Sequence, residues 1–250
     1  MAVDTKSKTT ELPLDPQIQE MMEVGLHFGH KTSKTHPKML PFIGGVRNTI
    51  HIIDLVKTKA RLNEVLDSLV ELREEGKTIL LVGTKVQVKD IVKKLAEELN
   101  FPYVSERWIG GTLTNFSIIT KRVERLKELE EEKTEEKYKE LTKKDRARFD
   151  KELEKLETKF GGIKNLEKLP DAVFIFDVDG NALAAREAKK MGIPTFGLID
   201  TNLNPALVDE AIPANDDAIL ALQYVADQIK EKLGGVKLKK VTEEKTEENK

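Results

Sequence analysis

The sequence predicts an α/β fold in which a largely parallel sheet lies between helical layers and is interrupted by one long helical insertion. Three short apolar runs, at 78–82, 172–176 and 195–199, contain no charged residue. Runs without polar alternation indicate strands that are buried on both faces. Helical spacing follows the first two runs, and an alternation of strands and helices is typical of a parallel sheet.

The N-terminal part of the chain predicts a short helix, an irregular segment and a strand. Segment 15–25 has Pro16 at a first-turn position and apolar residues on one side, which favours a helix. Segment 27–46 is punctuated by glycine and proline, so we expect it to be irregular. The β-branched run 49–53 predicts a strand, and Asp54 is expected to cap the helix that follows.

Further helices and one brief extended piece complete the predicted domain. The apolar residues from Val88 to Leu95 have helical spacing, and residues 103–104 after a proline are expected to be extended. Segments 181–191 and 216–233 predict helices, and the second of these closes the domain before a glycine pair.

The insertion at 121–159 is dominated by charge, with 14 basic and 13 acidic residues in 39 positions. Each half carries one narrow apolar seam, and two helices packed antiparallel would bury both seams. Thr142 is a start signal for the second helix, and Gly161–Gly162 is a stop signal. The expected organisation is a flexible N-terminal extension (1–15), a discontinuous α/β domain (16–118 and 161–235), a projecting coiled-coil hairpin (119–160) and a disordered charged tail (236–250).

Composition narrows the class of protein. The 250 residues include no cysteine, and no apolar stretch approaches the ~20 residues that span a bilayer. We therefore expect a soluble, intracellular protein without disulfides or thiolate metal sites. The net charge is −2, but between Gly25 and Arg61 seven basic residues face a single acid, which gives a local charge of +6. Such a segment favours a nucleic-acid partner.

Signals for an enzyme are weak. Gly83, Thr84 and Lys85 join a predicted strand to a helix, where α/β proteins bind phosphate, but the glycine-rich loops of nucleotide sites are absent. Asp177, Asp179 and Asp200 at strand ends are expected to be caps and turn formers. We therefore predict no catalytic residue and no cofactor.

The four histidines all lie in the basic N-terminal part of the chain. His27 and His30, with Asp177 or Asp200, would be the candidate metal ligands. Their spacing matches no ligand motif, so structural or RNA-contacting roles are favoured, while a metal stays an open alternative.

The segment 107–115, RWIGGTLTN, contains the only tryptophan, beside Arg107 and two glycines. Two interpretations are equally supported. The segment is an anchored turn that leads into the insertion, or it is a rigid loop whose backbone amides and Arg107 contact phosphate or ribose.

Twelve motifs occur in one order along the chain: HFGHKT (27–32), PKM (37–39), PFI (41–43), RNTIHIIDL (47–55), VGTK (82–85), RWIGGTLTN (107–115), LEKL (153–156), GGI (161–163), LPD (169–171), GIP (192–194), DTN (200–202) and IPANDDA (212–218). Together they resemble the bacterial small-subunit ribosomal protein S2 family over about 22–233. Departures are small. His36 stands where aromatic residues or asparagine are common in the family, Thr49 where glycine is common, and Ile109 where leucine is common.

The resemblance implies a flavodoxin-like domain with a coiled-coil hairpin, which joins ribosomal RNA late in assembly near the head–body junction. It also implies contact with neighbouring small-subunit proteins, help in recruiting ribosomal protein S1, and a cytoplasmic, ribosome-bound location. The resemblance and the local charge together select the following RNA-binding candidates: Lys31, Lys34, Lys38, Arg47, Asn48, His51, Lys57, Arg61, Lys85, Arg107, Trp108 and Asn115.

Two other classes of protein compete with this interpretation. A doubly wound enzyme that binds a nucleotide or sugar phosphate would stay in the soluble fraction, and a coiled-coil adaptor would follow its partner. Co-sedimentation with small ribosomal subunits distinguishes all three classes.

Overall fold

The computed structural model describes residues 15–134, 138 and 141–236. The helices are α1 (Pro16–Glu23), α2 (Leu55–Glu74), α3 (Lys89–Leu99), α4 (Phe116–Thr134), α5 (Lys143–Phe160), α6 (Ala182–Met191) and α7 (Ile219–Gly234). The strands are β1 (Phe28–Lys31), β2 (Ile43–Arg47), β3 (Ile50–Ile53), β4 (Ile79–Val82), β5 (Tyr103–Val104), β6 (Ala172–Ile175), β7 (Thr195–Ile199) and β8 (Glu210–Pro213). Apart from Asp15 and Val236, the expected N-terminal extension and charged tail lie outside the described residues. Within the described ranges, no helix combines the length and apolar character needed to cross a membrane.

Five strands form one parallel sheet in the order β5-β4-β6-β7-β8. Numbered along the chain within this sheet, the order is 2-1-3-4-5, which is the flavodoxin order. The predicted parallel α/β fold is confirmed, and the domain fits the flavodoxin-like class.

Both faces of the parallel sheet are buried, as the uninterrupted apolar runs predicted. On β4, Ile79 and Leu81 belong to a buried cluster with α2, α3 and α7, while Leu80 and Val82 belong to a second cluster with α4 and α6. All four side chains are at most 1% exposed. Burying each such side chain stabilises the fold by about 1.5–3 kcal/mol, so this central strand holds the helical layers together.

A second, antiparallel sheet is formed by β1, β3 and β2 and is here called the N-terminal sheet. Strand β3 lies within the predicted strand 49–53, whereas β1 and nearly all of β2 lie in segment 27–46, which we expected to be irregular. That expectation was wrong for β1 and β2. Their sequences, FGHK and IGGVR, contain glycines and no apolar alternation, and both ladders contain a register shift. They are strands because each pairs with the β-branched strand β3 between them.

Strand β8 was also missed by the sequence analysis. It has four residues, pairs only with β7 and ends at Pro213. Proline cannot donate to a ladder and is tolerated at the edge of a sheet, so local sequence gave little sign of this strand.

The second helix of the insertion begins and ends at the predicted signals. Helix α5 follows Thr142, whose hydroxyl accepts a hydrogen bond from the Asp145 amide at 3.3 Å, and it ends at Phe160 before Gly161. Contact between the helices includes the Lys133 Nζ atom, 3.0 Å from the Asp150 Oδ1 atom.

The apolar seam of α4 is almost completely buried. Val123 and Leu126 belong to the same buried cluster as Leu80 and Val173 of the parallel sheet, so the insertion and the sheet share one continuous apolar core. The division into an α/β domain and a separate projecting hairpin stays a prediction.

Candidate nucleic-acid interface

Two of the basic residues that were predicted to bind RNA lie at one end of the N-terminal sheet. Lys31 on β1 and Arg47 on β2 both pair with Ile50 on the strand between them. Directly opposed residues of antiparallel strands project from the same face, and adjacent strands are about 4.8 Å apart. Lys31 and Arg47 therefore start from one face about 10 Å apart, and both side chains are exposed.

The turn between β2 and β3 presents Asn48, which was also predicted to bind RNA. Asn48 and Thr49 have φ angles of 48° and 65°, the two positive angles of a type I′ hairpin turn. Asparagine tolerates this conformation, whereas a β-branched threonine is strained by it. Glycine, which the resemblance leads us to expect at position 49, would adopt this angle without strain. The amide of Thr32 donates to the Thr49 carbonyl at 2.9 Å and fixes the turn to the end of β1.

The connection between β1 and β2 presents two further predicted lysines. Lys34 and Lys38 lie in short 3-10 turns and are exposed. His51, also predicted to bind RNA, is only 7% exposed, and its Nε2 atom contacts the Thr35 hydroxyl. The structure thus gives His51 a supporting position beneath the connection.

Two residues on α2 that were predicted to bind RNA are exposed but already have polar partners. The Lys57 Nζ atom donates to the Pro41 carbonyl at 2.5 Å and lies 3.4 Å from the Asp54 carboxylate. An Arg61 Nη1 atom is 2.8 Å from Glu64. Exposed pairs of this kind are worth less than about 1 kcal/mol, so they would open readily for a phosphate.

Lys85 lies among three carboxylates at the carboxyl edge of the parallel sheet. Its Nζ atom is 3.0 Å from Asp216 Oδ1, 3.0 Å from Asp217 Oδ1 and 3.7 Å from Asp177 Oδ1. Asp177 and Asp216 are each 1% exposed. Lys85 therefore balances buried negative charge and is poorly placed for a nucleic-acid phosphate.

The protonation equilibria of this cluster follow from burial and from its neighbours. Burial lowers the pKa of the Lys85 ammonium, but Asp216, Asp217 and Asp177 outweigh that effect, and the pKa is raised. Burial raises the pKa of Asp216 to about 6, although the Lys85 ammonium opposes this effect. The negative charge of the carboxylates is therefore larger than the positive charge that Lys85 supplies.

The metal alternative is partly supported. His30, Asp200 and Asp217 can each place one ligand atom within 4.8 Å of the others. However, the His30 Nδ1 atom is 2.9 Å from the Asp200 Oδ2 atom, and its Nε2 atom is 3.6 Å from Asp217. The hydrogen bond to Asp200 and the nearby carboxylate charges, against an opposing effect of burial, raise the pKa of His30. A protonated imidazole that donates a hydrogen bond to Asp200 and forms a longer ion pair with Asp217 explains this geometry, and Lys85 already contacts Asp217.

Among the described residues, neither His27 nor Asp177, the other predicted metal ligands, belongs to this group. The His27 ring packs against Phe28 in a tilted arrangement, with centroids 4.0 Å apart. Asp217 was not anticipated as a member of the cluster, because β8, the strand that precedes it, was not predicted.

The crevice where flavodoxin-like proteins bind nucleotides lies between β4 and β6, at the switch in strand order. Here Asn181 Nδ2 donates to the Thr84 hydroxyl at 3.0 Å across that crevice. A Cβ on Gly83 would be 2.8 Å from Val92 and 2.9 Å from Val88, so side chains fill the space beside this loop. A surface cavity of about 460 Å³ lies at the opposite edge, around Phe101.

The 107–115 segment is folded around a buried carboxylate from α6. Glu187 accepts hydrogen bonds from the amides of Gly111, Leu113 and Thr114, at 2.8, 3.1 and 3.3 Å. It also accepts from Trp108 Nε1 at 3.2 Å and from the Thr114 hydroxyl at 3.2 Å. These backbone amides are therefore not available to an RNA phosphate, and the anchored-turn interpretation describes them.

Trp108, predicted to bind RNA, is only 7% exposed, whereas Arg107 and Asn115 at the two ends of the segment are exposed. Glu187 was missed by the sequence analysis. A usable signal existed, because Glu187 lies beside the fully buried Ala184 and Ala188 on α6. A charge on the buried face of a helix requires a partner.

Comparison with known families agrees with the fold and with the motifs. A family model described as Ribosomal protein S2 matches residues 21–233 of the 250-residue chain, from the end of α1 to the end of α7. The match covers both sheets and the described helices of the insertion. This family supplies a structural component of the small ribosomal subunit, which acts in translation. The chain therefore belongs to the ribosomal protein S2 family.

Proposed function

We propose that the chain binds small-subunit ribosomal RNA through the exposed basic residues of its N-terminal sheet and through the ends of the 107–115 segment. The observation that carries the proposal is the exposed pair Lys31 and Arg47 on one face of that sheet. Phosphate contacts dominate RNA affinity, and the paired strands hold the backbones of the two cations at a fixed spacing. Nine predicted residues are exposed: Lys31, Lys34, Lys38, Arg47, Asn48, Lys57, Arg61, Arg107 and Asn115.

The position of the N-terminal sheet supports a single interface. Its β1 strand contacts the carboxyl end of β7, since the His30 amide donates to the Thr201 hydroxyl at 2.9 Å. The 107–115 segment follows β5, whose carboxyl end is at the same edge of the parallel sheet. Three strand spacings separate β5 from β7, or about 14 Å. One RNA surface can span that distance.

The test is the salt dependence of RNA binding. Replacing Lys31, Lys38 and Arg47 with glutamine should weaken binding to small-subunit ribosomal RNA and reduce the slope of log affinity against log salt by about 2 to 3. A matched control removes the same charge at Lys94, Lys189 and Lys190, which are exposed on α3 and α6. The control should keep the slope of the unmodified chain. Equal slopes in both triple variants would remove the N-terminal sheet from the interface.

We also propose the more detailed partners and architecture that the family resemblance implies. These are contact with neighbouring small-subunit proteins including S1, a cytoplasmic location, and an α4–α5 coiled-coil hairpin supported by the Lys133–Asp150 ion pair. Ribosomes from cells depleted of the chain should lose S1 if it has this recruiting role.

We propose that the chain has no catalytic activity and needs no cofactor. The support is physical: the crevice between β4 and β6 is bridged by Thr84 and Asn181, and Lys85 is neutralised by carboxylates. The competing enzyme interpretation requires a phosphate at this position. A phosphate would meet several buried negative charges there.

A further inference from the structure

We infer that Glu187 is a positioning residue for RNA binding: its carboxylate is an internal anion that holds the 107–115 segment in the shape that presents Arg107 and Asn115 to the RNA. The inference rests on the proposed function and deepens it. Glu187 itself is 6% exposed and lies behind the segment, so it acts through the residues that it orders.

Both oxygens of the Glu187 carboxylate are used. The Oε1 atom accepts from the Gly111 amide at 2.8 Å and from Trp108 Nε1 at 3.2 Å. The Oε2 atom accepts from the Leu113 amide at 3.1 Å and from the Thr114 amide and hydroxyl at 3.3 and 3.2 Å. Charge-assisted hydrogen bonds are about twice as strong as neutral ones, and a carboxylate offers about four lone-pair sites.

The acceptor is held by a rigid support. Ala184, Ala185 and Ala188 of α6 are completely buried in the core beneath the parallel sheet. Trp108 and Leu113 of the segment are buried in the same apolar cluster. The segment also has internal hydrogen bonds, from the Thr112 hydroxyl to the Ile109 carbonyl at 2.6 Å and from the Asn115 amide to the Gly111 carbonyl at 2.8 Å. The carboxylate adds the polar link that holds the backbone amides of the segment to α6.

One carboxylate controls both ends of the segment. Arg107 precedes Trp108, whose indole donates to Glu187, and Asn115 follows Thr114, which donates to Glu187 twice. Without the acceptor, the buried amides of the segment would lack a partner and the segment would have to rearrange. Arg107 would then lose its fixed position, and Asn115, whose carbonyl also accepts from the Ile118 and Ile119 amides, would lose part of its support.

The pKa of the carboxyl is consistent with this arrangement. Burial by itself would raise the pKa of Glu187, but hydrogen bonds from Gly111, Leu113, Trp108 and Thr114 outweigh burial and lower it. A depressed pKa means that the anchor is intact at neutral pH and is lost only as the pH falls through the folded-state value, below 4.5.

The test compares Glu187→Gln with Glu98→Gln, which removes the same charge from an exposed ion pair on α3. Loss of a negative charge should by itself strengthen binding to a polyanion. Loss of positioning should weaken binding of Glu187→Gln to small-subunit ribosomal RNA about tenfold, the size of one charge-assisted contact. Loss of charge and loss of positioning therefore change the RNA affinity in opposite directions. The salt slope should be unchanged in Glu187→Gln but should fall by about 0.7 to 0.9 in Arg107→Gln.

Fluorescence gives an independent measurement, because Trp108 is the only tryptophan in the chain. Glu187→Gln should shift the Trp108 emission to the red and increase its quenching by acrylamide, while far-UV circular dichroism stays the same. In the unmodified chain the same red shift should appear on acidification, with a midpoint below 4.5. If Glu187→Gln does not fold, Thr114→Val removes one donor from an exposed residue and should weaken RNA binding in the same direction by a smaller factor.

The outcomes separate this inference from the proposed function. RNA affinity of Glu187→Gln equal to or above that of the unmodified chain would overturn the positioning role, whatever the fluorescence shows. An unchanged affinity of Arg107→Gln, with a weakened N-terminal sheet variant, would also overturn it, while RNA binding through the N-terminal sheet would still stand. Failure of the unmodified chain to bind small-subunit ribosomal RNA would overturn both.

Discussion

Replacing Lys85 with methionine removes an ammonium group from the carboxylate cluster at the carboxyl edge of the parallel sheet. Methionine has an unbranched side chain like that of lysine, and it is apolar, so the packing around position 85 changes little. The Lys85 Nζ atom lies 3.0 Å from both Asp216 and Asp217, and Asp216 is 1% exposed. After the substitution, the buried Asp216 carboxylate has no cation beside it. We therefore expect the variant to be less stable at neutral pH.

The magnitude follows from the burial of the cluster. Breaking a buried ion pair by removing one partner costs about 3–5 kcal/mol. The Lys85 side chain is 23% exposed, which favours the lower end, near 3 kcal/mol. The cost should depend on pH because the pKa of Asp216 is already about 6. Without the ammonium, this pKa rises further.

The sign of the pH dependence can be worked out from that pKa. The folded chain keeps a proton on Asp216 at pH values where the unfolded chain, with an ordinary value of 3.8, has lost it. Stability from this group is therefore lost as the pH rises through the folded-state value, near 6 in the unmodified chain and higher in Lys85→Met. At pH values above the raised pKa of the variant, each unit of further increase adds about 1.4 kcal/mol to the cost.

Urea unfolding followed by far-UV circular dichroism, at ~pH 5 and ~pH 7.5, measures the loss of stability in Lys85→Met and its dependence on pH. Lys230→Met is the matched control, because Lys230 makes an exposed ion pair with Glu98 at 3.0 Å. The control should cost less than about 1 kcal/mol at either pH. Similar costs for the two variants, with no pH dependence in Lys85→Met, would refute the view that Lys85 compensates buried charge.

Three further predictions concern packing and ligand binding. Gly29→Ala would place a Cβ atom 2.6 Å from Thr201 Cγ2, so we expect the free energy of unfolding in urea to fall by about 1–3 kcal/mol. Gly45→Ala, with no atom within 4 Å of its Cβ, should be nearly neutral. Equal effects of the two substitutions would argue against close contact between the two sheets. Leu126→Ala should cost about 2–5 kcal/mol in the main unfolding transition, because Leu126 is fully buried in the cluster beneath the sheet; an unchanged main transition with separate melting of the hairpin would support an independent hairpin instead. Calorimetric titration with ATP, GTP and NAD, with and without magnesium, should give no saturable binding, and micromolar binding of any of them would revive the enzyme interpretation.

The sequence alone determined the main architecture. The runs that became β4, β6 and β7 are apolar at almost every position, and such runs are stable only when both faces are covered. Helix starts were also local: the Asp54 carboxylate accepts from the Val56 amide at 3.1 Å, two residues away. The basic character of the N-terminal part was visible as a sum of charges. The motifs carried the family assignment.

Only the tertiary structure decided how these elements meet. Strands β1 and β2 have no strand pattern of their own, and they exist because β3 supplies their hydrogen-bond partners. His30 meets Asp200 from 170 positions away, and Glu187 reaches the 107–115 segment from 73 to 79 positions away. Spacing along the chain carries no information about such contacts, because folding of the sheet places its distant carboxyl ends together at one edge. The tertiary structure therefore decided that Lys85 and the amides of the 107–115 segment serve the fold, while Arg47 and Arg107 remain exposed.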